Sequence, residues 1–232
     1  MSEDQDEAHA ALEAACQATF AGREEDEQLA DHIESQHPDC ICETVRVSPG
    51  SPSPVANDEH LYRVIVTPRD ISPEGVLHSA PFEKVAKSGL SVVRSIATRE
   101  DLGGLVRDGM YRKPLHAPRS VRRVYRANVG GEDGVRSQRE GGGSRLFGVY
   151  DQVVARTVSD QAPVPTHAGI FLRYPPKGTE NRKKAQKDFA GTLRDLFIEN
   201  EVPLDQIHEG LISQINDEAA SGAFVLEDQS NQ

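Results

Sequence analysis

Four residues able to hold a metal fall in one short stretch: His32, His37, Cys40 and Cys42, spaced His-x4-His-x2-Cys-x-Cys. Thiolate and imidazole are the usual ligands of zinc. Paired cysteines in structural zinc sites are usually two to four residues apart, however, and here one residue separates them. A second cysteine pair is absent from the sequence. The four are therefore weak metal candidates, and without metal they read as ordinary thiols beside a strand. Cys16 falls on the apolar stripe of a helix, which suits packing. With three cysteines in all, no disulfide framework is expected, and the count points to a reducing, cytoplasmic setting.

Histidines supply the candidate acids and bases, because an unperturbed imidazole titrates near neutrality. His78, His116 and His167 lie in or beside the strand-rich middle of the chain. No Gly-x-Ser-x-Gly elbow accompanies them. Carboxylates are sparse in the same region, which argues against a two-carboxylate glycosidase.

Arginine supplies the third kind of chemistry. Residues 105–145 hold Arg107, Arg112, Lys113, Arg119, Arg122, Arg123, Arg126, Arg136, Arg139 and Arg145 against four acidic residues. Guanidinium groups make bidentate contacts with phosphate or carboxylate oxygens. Tyr111 and Tyr125 lie among them and can stack on bases. A basic edge strand explains the same pattern equally well. The glycine-rich stretches 129–134 and 140–145 match neither a Walker-type phosphate loop nor Gly-x-Gly-x-x-Gly. They read as loops, although Arg136, Arg139 and Arg145 within them can close on a phosphate. A second basic run, Arg182-Lys183-Lys184, opens the last long helix.

The net charge of -11 is unevenly laid out. Residues 1–60 carry 15 acidic and two basic residues, and residues 199–232 carry eight acidic and no basic ones. Residues 61–198 carry 24 basic against 14 acidic residues. Three readings follow. The ends can simply solvate the protein, compete with a polyanion for the basic middle, or dock on a basic partner.

The elements that must position these groups are legible in outline. Ala8, Leu12, Cys16 and Phe20 recur every four residues, so residues 4–36 read as helix in two pieces broken near Gly22. Residues 48–58 carry three prolines and read as a linker. Strands are expected at 60–67, 90–95, 119–129, 145–158 and 163–174. Helices are expected at 98–108, with Thr98 as N-cap, from Thr179 to about Glu199, and from Pro203 onward. The domain plan is an acidic helical extension (1–47), the linker (48–58), a core domain (59–218) and a flexible tail (219–232). The fold class is α+β, with a mostly antiparallel central sheet of about five short strands and helices at the two chain ends. No apolar run is long enough to span a bilayer, and the acidic start lacks the form of a secretory signal.

Leu-Tyr-Arg (61–63), His-Ser-Ala-Pro-Phe (78–82), Gly-Leu-Ser-Val (89–92) and Thr-His-Ala-Gly-Ile (166–170) resemble stretches of an uncharacterised bacterial family, which implies no particular activity. The Leu-Tyr-Arg strand with the later His-Ser and Gly-Leu is also loosely similar to ADP-ribosyltransferase-like domains. That resemblance implies a strand-borne Arg that meets NAD, a hydroxyl residue and an acidic residue. Arg63, His78 or Ser79, and Ser91 are the matching positions, and no acidic residue matches the third. Three function classes therefore stand side by side. One is a binder of a phosphate-bearing ligand, most simply nucleic acid or a nucleotide, through the Arg-rich centre. The second is an NAD-using enzyme with Arg63, His78, Ser79 and His167 as site candidates. The third is an adaptor that docks a partner protein through the acidic N-terminal helix.

Overall fold

The computed structural model describes residues 3–23, 26, 28–72, 74–141, 143–154, 162–173 and 182–226. Residues 155–158 of the expected fourth strand, Tyr174, the expected helix start at Thr179 and residues 227–232 of the expected tail lie outside them. So does the side chain of Arg182.

The chain forms an α+β fold around one antiparallel sheet. Six strands take part: β1 (His60–Thr67), β2 (Leu90–Arg94), β3 (Ser120–Asn128), β4 (Phe147–Asp151), β5 (His167–Leu172) and β6 (Glu201–Val202). Their order is β4-β5-β2-β1-β3-β6. Five of them answer the expected strands. β6 is the addition, a two-residue strand too short to leave a sequence pattern. The β-branched run Val64-Ile65-Val66-Thr67 builds β1, and Pro68, which has no N–H for the ladder, ends it.

Helices cover both faces of the sheet. On one face, α3 (Ala80–Glu83) and α5 (Arg182–Ile198) bury Phe82, Leu193 and Phe197 against Leu61, Ile65, Leu90 and Ile170. The other face is covered in two separate halves. Over β1 and β3, α4 (Arg99–Met110) and α6 (Leu211–Ala220) pack Leu102, Val106, Leu211 and Ile215 onto Val66, Val93 and Val124. Over β4 and β5, α1 (Glu3–Phe20), α2 (Leu29–Gln36) and the 3-10 segment Pro38–Thr44 pack Cys16, Phe20 and Ile33 onto Tyr150 and Phe171. Phe20, Tyr150 and Phe171 form a ring cluster with centroids 5.2–6.0 Å apart.

Local signals explain the ends of these elements. Thr98 accepts from Asp101 N–H, and Asp101 accepts from Thr98 N–H, which closes a capping box at the start of α4. The expected last helix instead begins as a 3-10 turn at Leu204–Gln206. It breaks at His208, Glu209 and Gly210, all at positive φ, before α6 starts.

Residues 48–58 carry no strand or helix, but they are anchored. Arg94 is fully buried on β2 and donates to both oxygens of Glu59, at 2.6 and 2.9 Å, and to the carbonyls of Ser53 and Pro54. The proline-rich stretch thus wraps a buried ion pair. The pairing of β3 explains why its residues show no clean alternation. Ile65 faces Arg123, yet Val66 faces Val121, so Arg122 is an extra, bulged residue. The bulge brings Val121 and Val124, three apart in sequence, into the same core cluster.

Among the described residues, no helix is long and apolar enough to cross a membrane.

Candidate functional site

β1 and β2 are paired only at Leu61–Arg94 and Tyr62–Val93. From Arg63 onward β1 bonds to β3 alone, and Leu90 to Val92 bond to β5 alone. The sheet is therefore split beyond one short join. The gap is flanked by α4 (Leu105, Val106) on one face and by α3 (Ala80, Pro81) on the other, and it opens a cleft of 660 Å³. Its walls are Tyr62, Val64, Val93, Leu105 and Tyr111 on the apolar side.

The polar lining is mainly cationic. Arg63, Arg69, Lys84 and Arg119 line the cleft, with Asp70 and Asp108 as its carboxylates. Arg63 Nη1 donates to the Ser91 carbonyl at 2.9 Å, and Nη2 lies 3.9 Å from Asp70. Arg63 Nε has no hydrogen-bond partner although it is buried. Burial lowers the Arg63 pKa to about 10; Asp70 opposes that shift and Arg69 adds to it. The guanidinium still carries its charge at neutral pH. Burial also disfavours the Asp70 carboxylate, but Arg69, Arg63 and the Val66 N–H outweigh it, and the pKa falls below the ordinary range. Arg69 grips both Asp70 oxygens, at 2.8 and 2.9 Å, which places this turn on the cleft rim. Arg119 donates to the carbonyls of Gly109 and Tyr111. Burial and the nearby Arg69 hold it below the usual arginine value.

One hydroxyl of the lining is oriented by a buried base. Ser91 is exposed to the cleft, and its Oγ lies 2.7 Å from Nε2 of His167. His167 Nδ1 lies 2.6 Å from the Gln152 carbonyl, which can only accept, so Nδ1 carries the hydrogen. Burial pulls the His167 pKa down to about 4, with the Gln152 carbonyl opposing and Arg63 reinforcing. The ring is neutral at pH 7, and its Nε2 accepts from the serine. Ser91 thus turns its lone pairs to the cleft. Gly169 lies directly across from Ser91 on β5. A Cβ there would meet the Phe171 ring at 2.5 Å and Gln152 Oε1 at 2.7 Å, so a larger residue would force the buried Phe171 ring to move.

The residues singled out in the sequence are distributed unevenly about this cleft. Arg63 lines it, and His167 reaches it through Ser91. His78 and Ser79 are exposed and are not among its lining residues; Ser79 donates to Glu83. His116 lies on an exposed loop and offers its carbonyl to Arg112.

The arginines of residues 105–145 do not form one patch. Arg119 enters the cleft. Arg112 is turned into its own loop, and Arg123 meets the Tyr125 hydroxyl. Arg122 and Arg126 are exposed on β3, and Arg139 donates to the Arg136 carbonyl. Arg136 and Arg145 both bind the buried carboxylate of Glu43, at 3.2 and 2.5 Å.

The cysteine expectation is corrected. Cys16 and Cys42 form a disulfide, although 26 residues separate them, and Cys40 alone is free. Burial raises the Cys40 thiol to about 11, and Glu43 adds to the shift. His32, His37, Cys40 and Cys42 therefore do not assemble as a set.

Sequence reasoning missed Arg69, Asp70, Lys84 and Asp108. Nothing in their spacing marks them, because the cleft is made by strands that part. No family model, curated protein or solved structure matches the chain.

Proposed function

We propose that the protein binds a phosphate-bearing ligand of nucleotide size in the cleft between β1 and β2. The supporting observation is the buried Arg63 guanidinium at the cleft, with Nε unpartnered and Arg69, Lys84 and Arg119 beside it. Guanidinium groups with spare donors in a partly apolar cavity recognise phosphate oxygens. Tyr62 and Tyr111 offer faces for a base, and the outward lone pairs of Ser91 accept from a ligand hydroxyl or amide. The scatter of the remaining arginines favours this cleft over the wide, continuous basic surface that a nucleic acid needs. The bonded Cys16–Cys42 pair weighs against the steadily reducing compartment that an odd cysteine count suggests.

A thermal-shift series with ADP, adenosine and a single-stranded oligonucleotide tests the reading. ADP at 100 times its Kd should stabilise the fold by about 2.7 kcal/mol, and adenosine far less. Stabilisation by the oligonucleotide alone would reject the cleft as the site.

A second reading rests on Arg63 and Ser91 meeting at the cleft. Both are positions that match ADP-ribosyltransferase-like domains, which supports an enzyme that cleaves NAD. The acidic residues there are Asp70, held by Arg69, and Asp108. Release of nicotinamide from NAD, abolished by Asp108→Asn, would favour this reading; no release would reject it.

A further inference from the structure

The ligand chemistry considered for His32, His37, Cys40 and Cys42 falls to a different trio. Sγ of Cys16, Sγ of Cys42 and a ring nitrogen of His37 all lie within 4.8 Å of one another. They come from three segments: Cys16 from α1, His37 from the residue that closes α2, and Cys42 from Pro38–Thr44. Both sulfurs are fully buried, and His37 is half-buried. The His37 ring is held in place by Thr19, whose Oγ1 lies 2.8 Å from Nε2. In this state the sulfurs are joined.

We propose that Cys16, His37 and Cys42 form a redox-gated zinc site. Joined sulfurs have no thiolate to offer and exclude the ion. Reduction by a dithiol breaks the S–S bond and leaves two thiols, taking two electrons and two protons from the dithiol, which closes to its own disulfide. Zinc then displaces the two thiol protons, and a Cys2His set holds it.

The geometry suits that exchange. Zinc bonds of about 2.3 Å to sulfur and 2.0–2.1 Å to nitrogen place tetrahedral donors roughly 3.5–4 Å apart. The three atoms already lie within 4.8 Å, so parting the sulfurs and a ring shift on the order of 1 Å bring them to that spacing. Three protein ligands leave a fourth position, reachable from the half-exposed His37 side, for water or a further ligand. A reduced thiol pair and an oxidised staple are thus two states of one site. Either the disulfide or the ion ties α1 to Pro38–Thr44 over Tyr150 and Phe171. Only the reduced, metal-free chain lacks the tie.

The test uses the full chain, reduced with a dithiol, desalted without oxygen and titrated with Co(II), whose thiolate charge-transfer and tetrahedral visible bands report the ligands. Reduced protein should bind one equivalent, displaced by zinc, and oxidised protein none. Cys40→Ser should leave binding unchanged. His37→Gln, which keeps both thiols, should weaken it by at least about tenfold, the scale of even an outer-shell loss. Cys16→Ser should remove most of the charge-transfer intensity, with circular dichroism to confirm the fold. Absence of Co(II) binding after reduction, binding that depends on Cys40, or binding unmoved in His37→Gln would each overturn the proposal.

Discussion

Arg63 Nη1 lies 2.9 Å from the carbonyl oxygen of Ser91, across the gap where β1 and β2 have parted. A side chain there takes over a bond that a continuous sheet would have made through the backbone. The same guanidinium satisfies the open edge of β2 and brings positive charge to the cleft. Arg63→Met should lose ligand binding and also cost about 1–3 kcal/mol of stability, the cost of a buried group left unpaired. Arg63→Lys should recover part of the stability. Denaturant midpoints of the three proteins measure this, and equal midpoints would show that Arg63 is not holding the edge.

The neutral state of His167 sets a pH dependence. Its pKa is about 4 folded and about 6.5 unfolded, so between these values the unfolded chain binds the proton and the folded chain does not. Stability from this residue is therefore intact above about pH 6.5 and is lost as pH falls to about 4, by about 3 kcal/mol. Asp151 acts the opposite way in nearly the same window, because burial raises its pKa from 3.8 to about 6. The comparison with His167→Gln removes that contribution from both sides. The advantage of the native chain over the variant should shrink by about 3 kcal/mol from pH 6.5 to 4, and a constant difference would count against a buried neutral ring.

Arg94 and Glu59 are both buried and bonded twice to each other. Arg94→Met leaves Glu59 without its counter-charge and frees residues 51–54 from their anchor. The expected loss is about 3–5 kcal/mol, and adding Glu59→Gln should return part of it. Thermal unfolding of the single and double variants decides the matter: strictly additive losses would mean that the two residues do not act as a pair.

Breaking Cys16–Cys42 opens a loop of 26 residues. In the chain-entropy account that bond contributes about 3.5 kcal/mol. In the presence of a chelator, reduction should lower the denaturant midpoint accordingly, and Cys16→Ser with Cys42→Ser should match the reduced native chain.

What was readable in the sequence follows from how locally each feature is determined. The β-branched run of β1, the Thr98 cap and the two-piece N-terminal helix depend on neighbours in sequence, and their residues announce them. The alternation of β3 was unreadable because Arg122 bulges and shifts every later side chain to the other face. His167 stood out as a titratable group, but its bond to Ser91 depends on the β2–β5 register, which no local pattern encodes. Cys40 and Cys42, one residue apart, read as a pair, whereas the partner of Cys42 is Cys16 on a distant helix. Arg136 and Arg145 resembled free phosphate binders because Glu43, which binds both, is far away in the chain.

On the proposed function, the split sheet, and not the arginine-rich strand, holds the ligand. Calorimetric titration of ADP into the native chain, Arg63→Met and the double variant Arg122→Ala with Arg126→Ala tests it most directly. The expected outcome is one ADP per chain, binding lost in Arg63→Met, and binding retained in the β3 variant. Binding that survives Arg63→Met and disappears in the β3 variant would contradict it.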